Sequence, residues 1–304
     1  MPGFFTHYLG GQAALAQLPD EITAIVKGSR QRIFTLGTQG PDIFFYYAPG
    51  FMRKRTNGIG SEIHRGKYNA FFLQMARLLK GEKNQERREI LFAYLAGFLL
   101  HYTVDTHAHP FVLARVWRAD ATPVQESAEH RHLETSIDTL MLARLTGEKP
   151  GDYRHWSLID AQGKHKRIAA AAFGTAASKV YQRDIRPQDV YHAMGYMIAL
   201  TRALQSEKGR RKHFAAFFED RIVKARILSA MVHQQQITDA HDYLNLSRAH
   251  WGESNASFPE LFDNAVAEGC TLIKALYAYM HGETDRGALA KLIGNRSLST
   301  GESL

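Results

Sequence analysis

An apolar run, LFAYLAGFLL at residues 91–100, passes without a break into HYTVDTHAHP at 101–110, and this junction constrains the fold more than any other stretch. A segment so uniformly apolar reads as a buried helix, and it carries the histidines and aspartate that follow into the same interior. Burying those groups is strongly unfavourable unless a partner offsets their lost hydration. His101, Asp105 and His109 recur at four-residue intervals, so each lies about 40° around a helix from the one before and all three share a face. His107 lies about 240° from His101 and is expected outside the set. Pro110 disfavours helical geometry at His109, so the chain is expected to leave the helix there. Imidazole and carboxylate on one face suit zinc or a similar divalent metal.

SAEHRHLETSID repeats the pattern, with His130, Glu134 and Asp138 four residues apart on a second helix whose apolar residues are Leu133, Ile137, Leu140 and Met141. His130 and Glu134 form the natural ligand pair, and Asp138 is expected behind them, orienting an imidazole. His132, about 200° around from His130, should point elsewhere. One His with an acid four residues on is commonly a solvated ion pair. Two such clusters this close in sequence, one inside an apolar helix, offer five ligands to a shared site.

Helical periodicity dominates the remainder, in PDEITAIVKGS, NAFFLQMARLLKG, the segment from Asn84 to His109, Val124 to Leu145, KRIAAAAFGTAASKVYQ, PQDVYHAMGYMIALTRALQ, the stretch around Phe214 to Val232, and FPELFDNAVAEGCTLIKALYAYMHG. The expected fold is all-α. Gly81, Pro187 and the Ser257–Pro259 pair punctuate helix ends. GTQGPDIFFYYAPGF and TNGIGSEIHRGKY read as loops, and the polar tail RSLSTGESL as frayed. Residues 1–150 are expected to form the metal-binding half, and 151–304 a helical part packed on it in one structural unit.

At 304 residues with 45% hydrophobic content, the chain can bury a large core. A formal charge of +8 favours anionic partners such as phosphates, nucleic acid or acidic membrane surfaces. Its densest basic run holds Lys208, Arg210, Arg211 and Lys212, more readily a solvated surface than a dedicated nucleic-acid patch. The single cysteine, Cys270, rules out an intramolecular disulfide and a multi-thiolate zinc site. LFAYLAGFLL is too short to span a bilayer and no secretory signal is evident, so a cytoplasmic location is expected.

THYLGG, the GPD loop, the isolated His64, HYTVDTHAHP and HRHLETSID together resemble, in order and spacing over roughly residues 5 to 145, the zinc-dependent phospholipase C and S1/P1 nuclease superfamily, most closely its bacterial phospholipase C-like branch. The likeness implies a multi-helical domain with additional C-terminal helices, where only DYLN and the following Trp251 match. It implies one zinc held by Asp42, His64, His101 and Asp105, and a second by His109, His130 and Glu134. A third would use His7, Asp105 and, in the family, an N-terminal tryptophan. The present chain starts Met-Pro-Gly, so the amine of Pro2, bared by removal of Met1, is the candidate in its place. The family's choline-type phospholipases carry an aromatic residue directly after the loop aspartate, where this chain has Ile43; Phe44, Phe45, Tyr46 and Tyr47 are candidate pocket walls, although such clusters are more often core.

The implied chemistry is hydrolysis of a phosphodiester, with phospholipid as the first-ranked substrate, nucleic acid as another candidate, and Asp42 as general base. Arg65 and Lys67 beside His64 can neutralise phosphate, though both residue types usually sit in solvent. Two alternatives stand beside this. One is a zinc-stabilised helical protein without turnover. The other is an HD-type metal phosphohydrolase built on His241-Asp242 with His233 upstream.

Overall fold

A computed structural model of the protein describes residues 3–46, 56–116, 123–205, 232–237, 242–245 and 256–304. Tyr47, the basic run at 208–212, His241 and Trp251 lie outside the described residues, as do Pro2 and most of the expected helix around Phe214 to Val232. The described residues are helical throughout, apart from turns and one isolated antiparallel bridge between Arg296 and Ser303. The α-helices are α1 (Phe4–Leu15), α2 (Asp20–Val26), α3 (Gln31–Gly37), α4 (Ile59–Arg65), α5 (Tyr68–Gly81), α6 (Gln85–Val116), α7 (Pro123–Thr146), α8 (His155–Ile159), α9 (Gly163–Tyr181), α10 (Pro187–Leu204), α11 (Phe258–His281) and α12 (Arg286–Ile293).

Helix α6 is the axis of the molecule. From Ile90 to Thr106 every residue is buried, so it has no solvent face and must be covered on all sides. α3 and α11 form the most extensive of those covers, with α1, α2, α5, α7 and α9 adding to the sheath. Phe98, Phe71 and Phe173 bring α6, α5 and α9 together, with ring centroids 4.9 Å apart between Phe71 and Phe173. α11 begins at a capping box, where the Ser257 backbone N–H and hydroxyl both donate to Glu260 at 2.7 Å. No helix among the described residues is long and apolar enough to cross a membrane.

Three expectations need correcting. α6 does not end at His109; it runs through Pro110 to Val116, where burial of Phe111, Val112 and Val116 offsets the lost N–H bond and the ring's crowding of the preceding turn. The two stretches read as loops hold α4 and a 3-10 helix at Gly40–Phe45. Glycine-rich composition hid them, although Ile59, Ile63 and Phe44 are buried anchors. The tail is ordered by backbone bonds from Leu298 N–H to the His64 carbonyl and from Leu304 N–H to that of Asn295, both at 2.8 Å.

Candidate metal centre

Four buried side chains from three elements converge beside α6. His101 and Asp105 rise from α6, His64 from α4 and Asp42 from the Gly40–Phe45 turn. One ligand atom from each lies within 4.8 Å of the others. Gly40 lets Asp42 approach so closely: its φ is +50°, and a Cβ there would lie 2.2 Å from the His101 ring. The GPD sequence is therefore a backbone requirement as well as a source of one carboxylate.

Both imidazoles are aimed from behind. His64 Nδ1 contacts the Gly60 carbonyl at 2.7 Å and His101 Nδ1 the Thr38 carbonyl at 3.2 Å, which leaves each Nε2 facing the carboxylates. His64 Nε2 lies 3.1 Å from Asp42 Oδ1 and 3.3 Å from Asp105 Oδ2, and His101 Nε2 lies 3.1 Å from Asp105 Oδ2. Despite those distances, His64 Nε2, His101 Nε2, Asp42 Oδ1 and both Asp105 oxygens are buried without a hydrogen-bond partner. Orphaned polar atoms at such density are costly, and donors pointing at one shared volume, rather than along mutual hydrogen bonds, fit a divalent cation.

The electrostatics agree. Burial opposes charge on His64, yet Asp105 and Asp42 beside it raise its pKa to about 9. Burial likewise opposes ionisation of Asp105, but His101, His64 and His7 around it hold the carboxyl well below the usual carboxylate range. Burial instead pushes the His101 pKa down, so it is the two carboxylates that favour positive charge at this point.

A second group lies one turn along. His109 from α6 and His130 and Glu134 from α7 also bring one ligand atom each within 4.8 Å. The two Nε2 atoms face each other at 3.4 Å, and His130 Nε2 is 2.6 Å from Glu134 Oε1. Burial works against the Glu134 carboxylate, but His130 keeps its pKa down at about 2. His109 Nδ1 contacts the Leu298 carbonyl at 3.0 Å.

His7 reaches the first group from α1. Its Nε2 lies 3.4 Å from Asp105 Oδ1, its ring stacks on His101 with centroids 4.4 Å apart, and neither of its nitrogens has a hydrogen-bond partner. Residues 1 and 2, which the third set requires, lie outside the described residues.

His107 turns away and pairs with Glu268 at 2.6 Å, while the His132 ring faces Tyr243. Asp138 does orient an imidazole, but not that of a candidate ligand: it accepts from His233 Nε2 at 2.8 Å, and from the Phe5 and Thr6 backbone N–H groups at 2.8 Å. It closes the start of α1, where N–H groups otherwise lack acceptors. His233 is thereby committed, and Asp242 accepts from Asn245, so those two members of the HD alternative do not meet.

A cleft of about 880 Å³ opens onto the second group and onto His64 of the first. His64, His109, His130 and Glu134 form its polar end. Phe45, Leu113, Ala114 and Val116 supply apolar wall, and Arg65 and Arg131 bring positive charge. Of the four aromatics after Ile43, Phe45 lines the cleft, Phe44 is core, and Tyr46 packs against the core. Lys67 is exposed and does not line it.

Residues 6–185 match the family described as zinc dependent phospholipase C. The chain belongs to that family. The match contains every candidate side-chain ligand and extends past the region legible in sequence, through α9. No curated protein and no solved structure matches the chain significantly. As a member of the zinc-dependent phospholipase C family, it carries a buried Asp/His cluster able to hold a metal ion. Sequence reasoning missed Arg131 in the cleft wall and the backbone carbonyls of Gly60, Thr38 and Leu298. An arginine on a helix is unremarkable by itself, and a carbonyl acceptor has no sequence signature.

Proposed function

We propose that this protein is a zinc-dependent phospholipase C-like hydrolase that cleaves a phosphodiester with water, its first-ranked substrate a phospholipid. The observation carrying this reading is the set of orphaned, buried Asp42, His64, His101 and Asp105 ligand atoms, with His64 reaching the wall of the adjoining cleft, in a chain of this family. Asp42, His64, His101 and Asp105 would hold one zinc ion, and His109, His130 and Glu134 a second with a coordination position left open. Zinc, when bound, supplies Lewis acidity at the phosphoryl oxygens and lowers the pKa of water.

The chain's own residues do the rest. Asp42, through the carboxylate oxygen that the ion leaves free, would take the proton of the attacking water. Arg65 and Arg131 neutralise the phosphate, Arg131 with a buried Nε that has no other hydrogen-bond partner. Phe45, Leu113 and Val116 receive the apolar part of the lipid. Residues 1–150 supply the ligands, and the helices of 151–304, α11 foremost, support α6 from behind as part of one unit.

Phosphatidylcholine vesicles incubated with the full chain test this reading through the appearance of diacylglycerol. Turnover that a chelator abolishes and added zinc restores is the expected result. Bound zinc without turnover on phospholipid, nucleotide or generic diester substrates would instead make this a zinc-stabilised helical protein.

A further inference from the structure

The last residues of the chain fold back across the metal centre, and they lie beyond the region that matches the family. Three contacts tie them there. The Leu298 carbonyl is 3.0 Å from His109 Nδ1, the Leu298 N–H donates to the His64 carbonyl at 2.8 Å, and the Ser297 hydroxyl donates to the same carbonyl at 3.3 Å. The turn is itself braced, since Ser297 Oγ accepts the backbone N–H groups of Ser299 and Thr300 at 3.2 Å. Ser299 faces the cleft.

Pro110 explains where this strap lies. It has no N–H to donate one turn back, so the Thr106 carbonyl is denied the bond a helix normally provides. Gly301 sits against that carbonyl with a φ of +72°, and a Cβ there would come within 2.5 Å of the Thr106 oxygen and 3.0 Å of Pro110. The proline opens a notch in α6 between two ligands, and a glycine in a left-handed conformation fills it.

We propose that residues 297–301 are a positioning element of the second zinc site, with the Leu298 carbonyl fixing the tautomer and direction of the His109 imidazole so that Nε2 faces His130 and Glu134. This rests on reading His109, His130 and Glu134 as a zinc site. A metal-bound histidine depends on the acceptor at its other nitrogen, and losing such an acceptor lowers metal affinity roughly 10- to 100-fold.

Competition of the zinc-loaded full chain against a chromogenic chelator, in Gly301→Ala and Ser297→Ala variants, tests the inference. The expected result is that the zinc lost on His130→Ala substitution binds at least about tenfold more weakly in both variants, and that diesterase activity falls with it and recovers at excess zinc. Wild-type affinity for that zinc in both variants overturns the strap's role while leaving the hydrolase reading intact. If Gly301→Ala fails to fold, Ser297→Ala, which removes only a hydroxyl, decides the matter. A wild-type chain whose zinc content is indifferent to His130→Ala overturns the inference together with the reading it rests on.

Discussion

Asp138 on α7 receives the backbone N–H and the side-chain hydroxyl of Thr6 on α1, at 2.8 and 2.7 Å, joining two helices 132 residues apart in sequence. Through Thr6 this carboxylate fixes the turn that presents His7 to Asp105. Asp138→Asn replaces an acceptor-only group by one that must turn an amide toward donors already in place. Hydrogen bonds to a buried charge are worth about 1.5–3 kcal/mol each, and with several weakened at once the substitution should cost about 3 kcal/mol. Denaturant unfolding of the metal-free variant measures this; a change within error would mean that α1 is held by its apolar contacts alone.

His107 and His109 are near neighbours with opposite fates. His107 and Glu268 are both part-exposed, so their ion pair is screened and worth at most about 1 kcal/mol. His107→Ala should therefore leave zinc content and activity near wild type, whereas His109→Ala should lose a zinc ion and activity. Elemental analysis of both variants checks the assignment, and zinc loss on His107→Ala would reverse it.

Zinc should also stabilise the fold, because a ligand that binds only the native state adds about 4 kcal/mol at a thousandfold excess over its dissociation constant. For a chain of this size that corresponds to a melting temperature raised on the order of 10 °C. Calorimetry with and without a chelator reads the shift directly. An unchanged midpoint would mean that the orphaned ligand atoms are not zinc ligands.

Acid should destabilise the metal-free protein through His155. Its ring is buried among Phe4, Phe5 and His233, with Nε2 donating to the Pro150 carbonyl at 2.8 Å. Burial, with the neighbouring His233, lowers its pKa from 6.5 to about 4. The unfolded chain therefore takes up a proton in this window that the native state refuses. The stability His155 permits is complete above about pH 6.5 and falls as pH drops toward 4, by about 3 kcal/mol at about 1.4 kcal/mol per unit. His155→Gln, which keeps a neutral donor, should flatten that slope in urea titrations from pH 7 to 4. A variant as pH-sensitive as the parent would assign the loss to other groups.

Much of the site is legible in the sequence because its chemistry follows helical spacing. His101, Asp105 and His109 share a face of α6, and His130 and Glu134 share one of α7; spacing alone would gather the first three at one point, and the division that sets His109 with His130 and Glu134 follows only from the resemblance. Asp42 and His64 were placed by resemblance alone, since nothing local connects a GPD turn to a lone histidine 22 residues later. Asp138 is legible as a carboxylate that orients an imidazole, but not which one: His233 is 95 residues away, across stretches that spacing cannot bridge. The order of the tail is not legible because small polar residues resemble a frayed end, whereas its backbone bonds to His64 and the notch at Pro110 depend on the fold.

Zinc content per chain, measured in the wild type and two variants, tests the central claim most directly. The account predicts two zinc ions in the wild type, one of them lost on His101→Ala and the other on His130→Ala. A wild-type protein holding less than one zinc ion, or a content that neither substitution changes, would contradict it.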